Sequence, residues 1–335
     1  CNITNLHIES SFYNTNIDKF LHRFTSQDTL TFFEKLGLIC YHDEEGRFYP
    51  LSNSAKSVTE VIENALEKRN VKLFLNQSVF KVEKKGDKFN IKTLQDEFTC
   101  SKLVLALGKF DGELLKDFKL DAIQTMPSLV AIKANVSRGL ANTKVKDVLV
   151  KAYLNSGALK IEKGEVLFRE NGLSGIVIFN LSSMFARNKK FEGKVVINLL
   201  PQYDKKALFK MLKERTKINL PLSKFFDGLF VRQVGYEILT RAKLDESKDS
   251  ENLTKEEIEL LCHIIQNLEF KVLGHLDNSQ VTSGGLSLNN FNENLEAKNI
   301  PNLFACVEIC DVDGQCGGYN LQWAWSSGYI VGQNL

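Results

Sequence analysis

Residues 311–325 read DVDGQCGGYNLQWAW, and the reading of this stretch decides the fold. Asp311 and Asp313 stand ahead of Gly314, and Cys316 precedes Gly317 and Gly318. Tyr319 and Asn320 then lead into a helical-looking run that carries both tryptophans of the chain, Trp323 and Trp325. A calcium loop would need further oxygen ligands and a Glu at its twelfth position, and the acids stop at Asp313. Cys306, Cys310 and Cys316 lack the second cysteine pair a structural zinc site uses, so they read as buried thiols. A cradle for an anion or cofactor fits better, with a plain turn as the alternative. Glycines let backbone N–H groups approach a ligand closely. A helix starting near Tyr319 would aim its unpaired N–H groups and positive dipole end at that ligand. Ala324, Ser327, Gly328 and Gly332 give the helix small residues for close packing against a sheet.

Around this stretch the composition is that of an ordinary globular protein. The 335 residues are 43% hydrophobic and 25% charged, enough for two or three packed units. With 43 basic against 41 acidic residues, the net charge of +2 calls for neither nucleic acid nor an anionic membrane. No apolar run reaches the roughly 18–20 residues of a membrane span, and the opening CNITNLHIES has no signal-peptide pattern. Seven scattered cysteines predict reduced thiols in a cytoplasmic protein. The five histidines form no metal spacing, no G-x-G-x-x-G motif occurs, and no residue stands out as a general base.

Residues 29–38 predict a short helix ending at Gly37. SVTEVIENALEKRN (57–70) predicts a longer one, with a Ser57/Glu60 capping box and apolar residues at helical spacing. VKLFL (71–75) predicts a strand. Residues 79–100 predict an antiparallel meander turning at Gly86, and KLVLALG (102–108) a buried strand. This order suits an α/β nucleotide-binding domain. From 128 to 200 the short apolar runs, GIVIF among them, predict antiparallel sheet or a small barrel. Residues 204–267 turn helical, with a second capping box at Thr254/Glu257, and 270–276 returns to strand.

Residues 301–332, PNLFACVEICDVDGQCGGYNLQWAWSSGYIVG, closely resemble the C-terminal motif of bacterial flavoproteins often labelled aminoacetone oxidase-like, a family of FAD-dependent oxidoreductases. VTSGGLSL (281–288), CNITN (1–5), GRFYP (46–50), NQSV (76–79), VLALG (104–108) and GEVLFRENGLSG (164–175) follow the family's order, so the resemblance spans nearly the whole chain. It implies a two-dinucleotide-binding, Rossmann-like α/β FAD domain built from 1–127 and 282–335. That domain would be interrupted by a β-barrel (128–203 and 268–281) and a helical insert (204–267). It also implies that the first strand and the phosphate-binding glycines precede Cys1.

Carried over by position, the resemblance places Cys1, Asn2, Thr4 and Asn5 along the flavin and pyrophosphate, and the Val79 backbone at the adenine. Ala106 and Gly108 would line the nucleotide, and Glu308 would face the ribityl hydroxyls. Gly317, Gly318, Tyr319, Asn320 and Gln322 would meet the pyrimidine edge of the flavin, with Asp311 and Gly314 in the loop before them. The implied cofactor is FAD, with NAD(P)H as electron donor and a small molecule as substrate. Two alternatives have other chemistry: a cofactor-free binding protein on the same fold, and an N-terminal-nucleophile hydrolase using Cys1. The chain also departs from the family pattern. Ala106-Leu107-Gly108-Lys109 replaces A-T-G-G, and Val307 stands where the family has glycine. A β-branched residue there predicts crowding of the cofactor or a φ that valine resists.

Overall fold

The structure, a computed structural model, describes residues 2–155, 157, 159–276 and 279–335. They form two compact units, Cys1–Met126 with Val281–Leu335, and Pro127–Gln280. Among the described residues no helix is long and apolar enough to cross a membrane.

The second unit is built on a closed six-stranded barrel. Its ring order is Leu159–Arg169, Gly172–Ser174, Ile132–Ala134, Leu268–His275, Gly193–Asn198 and Thr143–Leu154, every neighbour antiparallel. Buried Leu268, Phe270 and Val272 alternate with exposed Glu269, Lys271 and Leu273, the inside–outside alternation a small barrel requires. Helices Lys205–Thr216, Leu222–Phe225, Arg232–Ala242 and Lys255–Gln266 complete the unit together with Ile176–Arg187. The Thr254/Glu257 capping box is present, with Thr254 Oγ1 accepting from the Glu257 N–H and the Glu257 carboxylate accepting from the Thr254 N–H.

GIVIF corrects an expectation: residues 176–179 open the helix Ile176–Arg187 and are not strand. Val177, Ile178, Leu181 and Phe185 are all buried, and a short run apolar on several sides cannot be told from a strand by periodicity alone. Gly175, at φ 108°, turns the chain into the helix.

In the first unit, strands Leu103–Leu105 and Leu303–Ala305 pair in parallel. The meander Val79–Lys85, Lys88–Thr93 and Glu97–Cys100 forms a separate antiparallel sheet, and Cys40–His42 pairs with Phe48–Pro50 in a hairpin. Helices Ser26–Lys35 and Tyr319–Gly332 pack in the same unit, with Phe33 and Trp325 edge to face at 5.0 Å.

Two further expectations are corrected here. Residues 71–75 form no strand: Asn70 and Asn76 both adopt left-handed φ and turn the chain at each end, and Val71, Leu73, Phe74 and Leu75 are exposed. Propensity alone does not make a strand without a partner ladder. The Ser57/Glu60 capping box is also absent. The helix runs Ala55–Lys68, so Ser57 lies inside it, and its hydroxyl accepts a hydrogen bond from Ser52.

Candidate functional site

The two parallel strands deliver their carboxyl ends to one edge, where open α/β sheets place their ligands. Past Leu105 come Ala106 and Gly108; past Ala305 come Cys306, Val307 and Glu308. A Cβ built on Gly108 would lie 3.6 Å from Glu308 Oε2, so these two predicted positions face each other. Glu308 makes no hydrogen bond to any described residue, and partial burial raises its carboxyl above the ordinary carboxylate range. A half-buried acceptor of this kind suits hydroxyl donors from a ligand.

Val307 has φ 61°, the left-handed region that a β-branched residue resists. It is held there from both sides by one helix. Its N–H donates to Ser327 Oγ at 3.0 Å, and its carbonyl accepts from Trp323 Nε1 at 3.0 Å. The other tryptophan, Trp325, donates to the Ile3 carbonyl at 2.9 Å. The pair of indoles therefore fastens the C-terminal helix to the segment after one parallel strand and to the chain's first residues.

The glycine stretch sets the start of that helix. Gly318 is its N-cap, at φ 100° and with no side-chain cap. A Cβ on Gly318 would come 2.4 Å from the Thr4 carbonyl oxygen, so glycine is required by close backbone packing. Among the described residues, the N–H groups of Gly318, Tyr319 and Asn320 have no protein partner. These are the unpaired donors a cradle needs, with the dipole behind them. A plain turn would pair them with carbonyl oxygens.

Several residues expected at the flavin have their side-chain polar atoms engaged by the protein. Gln322 is fully buried: its Oε1 accepts from Thr4 Oγ1 at 2.6 Å and Thr29 Oγ1 at 3.0 Å. Its Nε2 donates to the Phe24 carbonyl and to Ser326 Oγ. Asn320 folds back on the loop, accepting from the Gly314 N–H and donating to the Gly314 carbonyl. Asn5 donates to the Gly317 carbonyl at 2.9 Å and accepts from the His7 N–H. The side chains of Thr4, Asn5, Asn320 and Gln322 thus brace the loop and the start of the helix. Asp311 is fixed through its backbone, its N–H donating to the Leu286 carbonyl, and buried Asp313 accepts from Ser283. Val79 opens the separate meander opposite Thr93, and no hydrogen bond joins it to the loop. Asn2 is partly buried beside Ile3, whose N–H pairs with the Phe48 carbonyl, and Cys1 lies outside the described residues. Burial raises the Cys306 thiol to about 11 and Cys310 higher still, so both stay protonated at neutral pH.

Phe12 and Tyr13 escaped the sequence reading. The Phe12 ring stacks on Tyr319 at 4.5 Å, the Tyr13 ring meets it edge-on at 6.1 Å, and the Tyr13 hydroxyl donates to the Tyr319 carbonyl. No local pattern marks Phe12 and Tyr13, because their partner Tyr319 lies some three hundred positions away.

A parallel strand pair with glycines and an acid at its carboxyl edge, beside an uncapped helix start, defines a Rossmann-type α/β nucleotide-binding protein. The chain belongs to the family described as HI0933-like protein Rossmann domain, whose model matches residues 1–334. It is a family of flavin-dependent oxidoreductases. One relative is a 3-dehydro-bile acid delta(4,6)-reductase of Clostridium scindens, 28% identical over 99% of this chain and 87% of its own. Another is a ribosomal RNA dihydrouridine synthase of Escherichia coli, 25% identical over 100% of this chain and 86% of its own. Among solved structures, bacillithiol disulfide reductase Bdr (YpdA) from Staphylococcus aureus covers 88% of this chain and 74% of its own at 11% identity. The TM-score of that likeness is 0.29.

Proposed function

We propose that the protein is an FAD-dependent reductase that adds a hydride to a carbon–carbon double bond conjugated with a carbonyl. The observation that carries the reading is the unpaired donor row at Gly318–Asn320 in the same unit as the parallel-strand edge bearing Glu308. The residues present fit a flavin dinucleotide. The N–H groups at the helix start suit the electron-rich edge of an isoalloxazine ring, and Glu308 suits ligand hydroxyls. When bound, FAD supplies two-electron hydride chemistry, and the protein supplies orientation and electrostatics.

The two relatives favour this substrate class by their names. A reductase of delta(4,6) double bonds in a 3-dehydro bile acid and a synthase of dihydrouridine both saturate a double bond conjugated with a carbonyl. For this chain a small molecule is the proposed substrate, because a net charge of +2 supplies little of the phosphate neutralisation that RNA binding uses. NAD(P)H is the proposed reductant.

The experiment is reconstitution with FAD followed by anaerobic reduction and mixing with 2-cyclohexen-1-one. The reading expects protein-bound flavin absorbance after gel filtration, and reoxidation by the enone with formation of cyclohexanone. A protein that stays colourless would support the cofactor-free binding module instead.

A further inference from the structure

We propose that the Tyr319 hydroxyl is the proton donor to the substrate's carbonyl oxygen, a catalytic residue of the reduction proposed above, on whose reading it rests. Tyr319 is the first residue of the C-terminal helix, in the middle of the unpaired N–H row. Its ring is fixed. Phe12 stacks on one side, Tyr13 meets an edge, and the ring fits against Gly317, where a Cβ would lie 3.1 Å from Tyr319 Cε2. Gly317 has φ 132° and no side chain, which leaves the ring its place.

The residue as a whole is 7% exposed, yet its hydroxyl makes no hydrogen bond to a described residue and is not among the solvent-sealed unpaired atoms. A buried ring with an unpaired, water-reaching hydroxyl is unusual, since buried phenols ordinarily find a partner. Buried Tyr13, packed against it, does, donating to the Tyr319 carbonyl. Tyr329 lies near the far end of the helix and is 41% exposed. Burial and the Glu9 carboxylate raise the Tyr319 phenol, and Arg47 opposes them, so at neutral pH the group keeps its proton and acts as a donor.

The step balances as follows. The β-carbon of the enone accepts a hydride, with its electron pair, from the reduced flavin dinucleotide. The alkene π pair forms a new double bond between the α-carbon and the carbonyl carbon, and the carbonyl π pair moves onto oxygen. The Tyr319 O–H bond breaks and its proton passes to that oxygen, giving an enol that ketonises in water. The phenolate recovers a proton from solvent through its exposed hydroxyl. The substrate gains two hydrogens and the flavin is oxidised by two electrons.

The test compares FAD-loaded wild type with Tyr319→Phe. The first readout is binding: p-chlorophenol, a phenolate-forming mimic of the enolate oxygen, is titrated while the flavin spectrum is recorded. Loss of one hydrogen bond to an anionic oxygen should weaken binding about tenfold or more. The second is anaerobic reoxidation of reduced enzyme by 2-cyclohexen-1-one and, separately, by ferricyanide, which takes electrons and no proton. The enone rate should fall about 100-fold while the ferricyanide rate holds. Unchanged phenol affinity would overturn the assignment. So would equal losses with both oxidants, or a fall in melting temperature, because these mark a packing residue. A wild type that ferricyanide reoxidises and the enone does not would instead fell the proposed reaction, and the role of Tyr319 with it.

Discussion

Val307 and Glu308 are adjacent residues at the carboxyl edge of the parallel pair, and each carries a cost that a purely structural protein would avoid. At Val307 the cost is backbone strain, stabilised by Ser327 and Trp323. Replacing a partly buried valine by glycine ordinarily costs about 2–3 kcal/mol in lost burial and added chain freedom. Release from the left-handed region returns about 1–3 kcal/mol. Val307→Gly should therefore unfold in urea within about 1 kcal/mol of wild type. Its FAD affinity should rise as the side chain leaves the edge. A full loss of about 3 kcal/mol would show that the valine is unstrained. The substitution was visible in the sequence as a valine in a glycine's place, and of the two outcomes expected there, crowding or a φ that valine resists, the backbone shows the second.

Glu308 carries an electrostatic cost. Burial raises its pKa above the ordinary 4.5, so the folded state holds the proton more tightly than the unfolded one. The penalty on folding is absent below the ordinary value. It appears as pH rises through that value towards the raised one, and it persists above. Glu308→Gln should thus be more stable than wild type at pH 7, and the two should converge near about pH 4 in denaturant titrations. The same change should weaken FAD binding. A less stable variant at pH 7 would mean that the carboxylate has a favourable partner. Gln322 shows where sequence reading stops. Its amide is saturated by Thr4 and Thr29, 318 and 293 positions away, and no local pattern announces such a partner.

Elements were legible where local chemistry decides them. Thr254 and Glu257 reciprocally cap the helix Lys255–Gln266, whereas Ser57 has no capping role in the helix Ala55–Lys68. Thr254→Ala should therefore cost about 1 kcal/mol, and Ser57→Ala less than about 0.5 kcal/mol, by chemical denaturation. Equal losses would contradict the assignment of the caps. The meander around Gly86 was legible by alternation, and the barrel strands by short glycine-broken runs. The segment 71–75 was not, because β-propensity is silent on whether a neighbouring strand exists, and Leu75 is left 77% exposed. Residues 176–179 failed for another reason: buried on several sides, a helix loses the amphipathic period that marks it.

At the scale of the whole molecule, the site lies within one compact unit, made from residues far apart in sequence. The glycines of 314–318, the strand end at 305–308 and the family-like segment 104–108 were each legible as fragments. What joins them is the C-terminal helix, through Trp323 to Val307, Trp325 to Ile3, Ser326 to Phe24 and Gln322 to Thr4. The side chains of Thr4, Asn5 and Gln322 belong to this framework, and the groups proposed to face the ligand are the bare N–H row, Glu308 and Tyr319. The most direct test is amide hydrogen exchange with and without FAD. Fast exchange is expected at Gly318–Asn320 in the free protein, with strong protection on FAD binding there and around 305–309. Protection of these amides before FAD is added, or FAD-induced protection confined to other segments, would contradict this expectation.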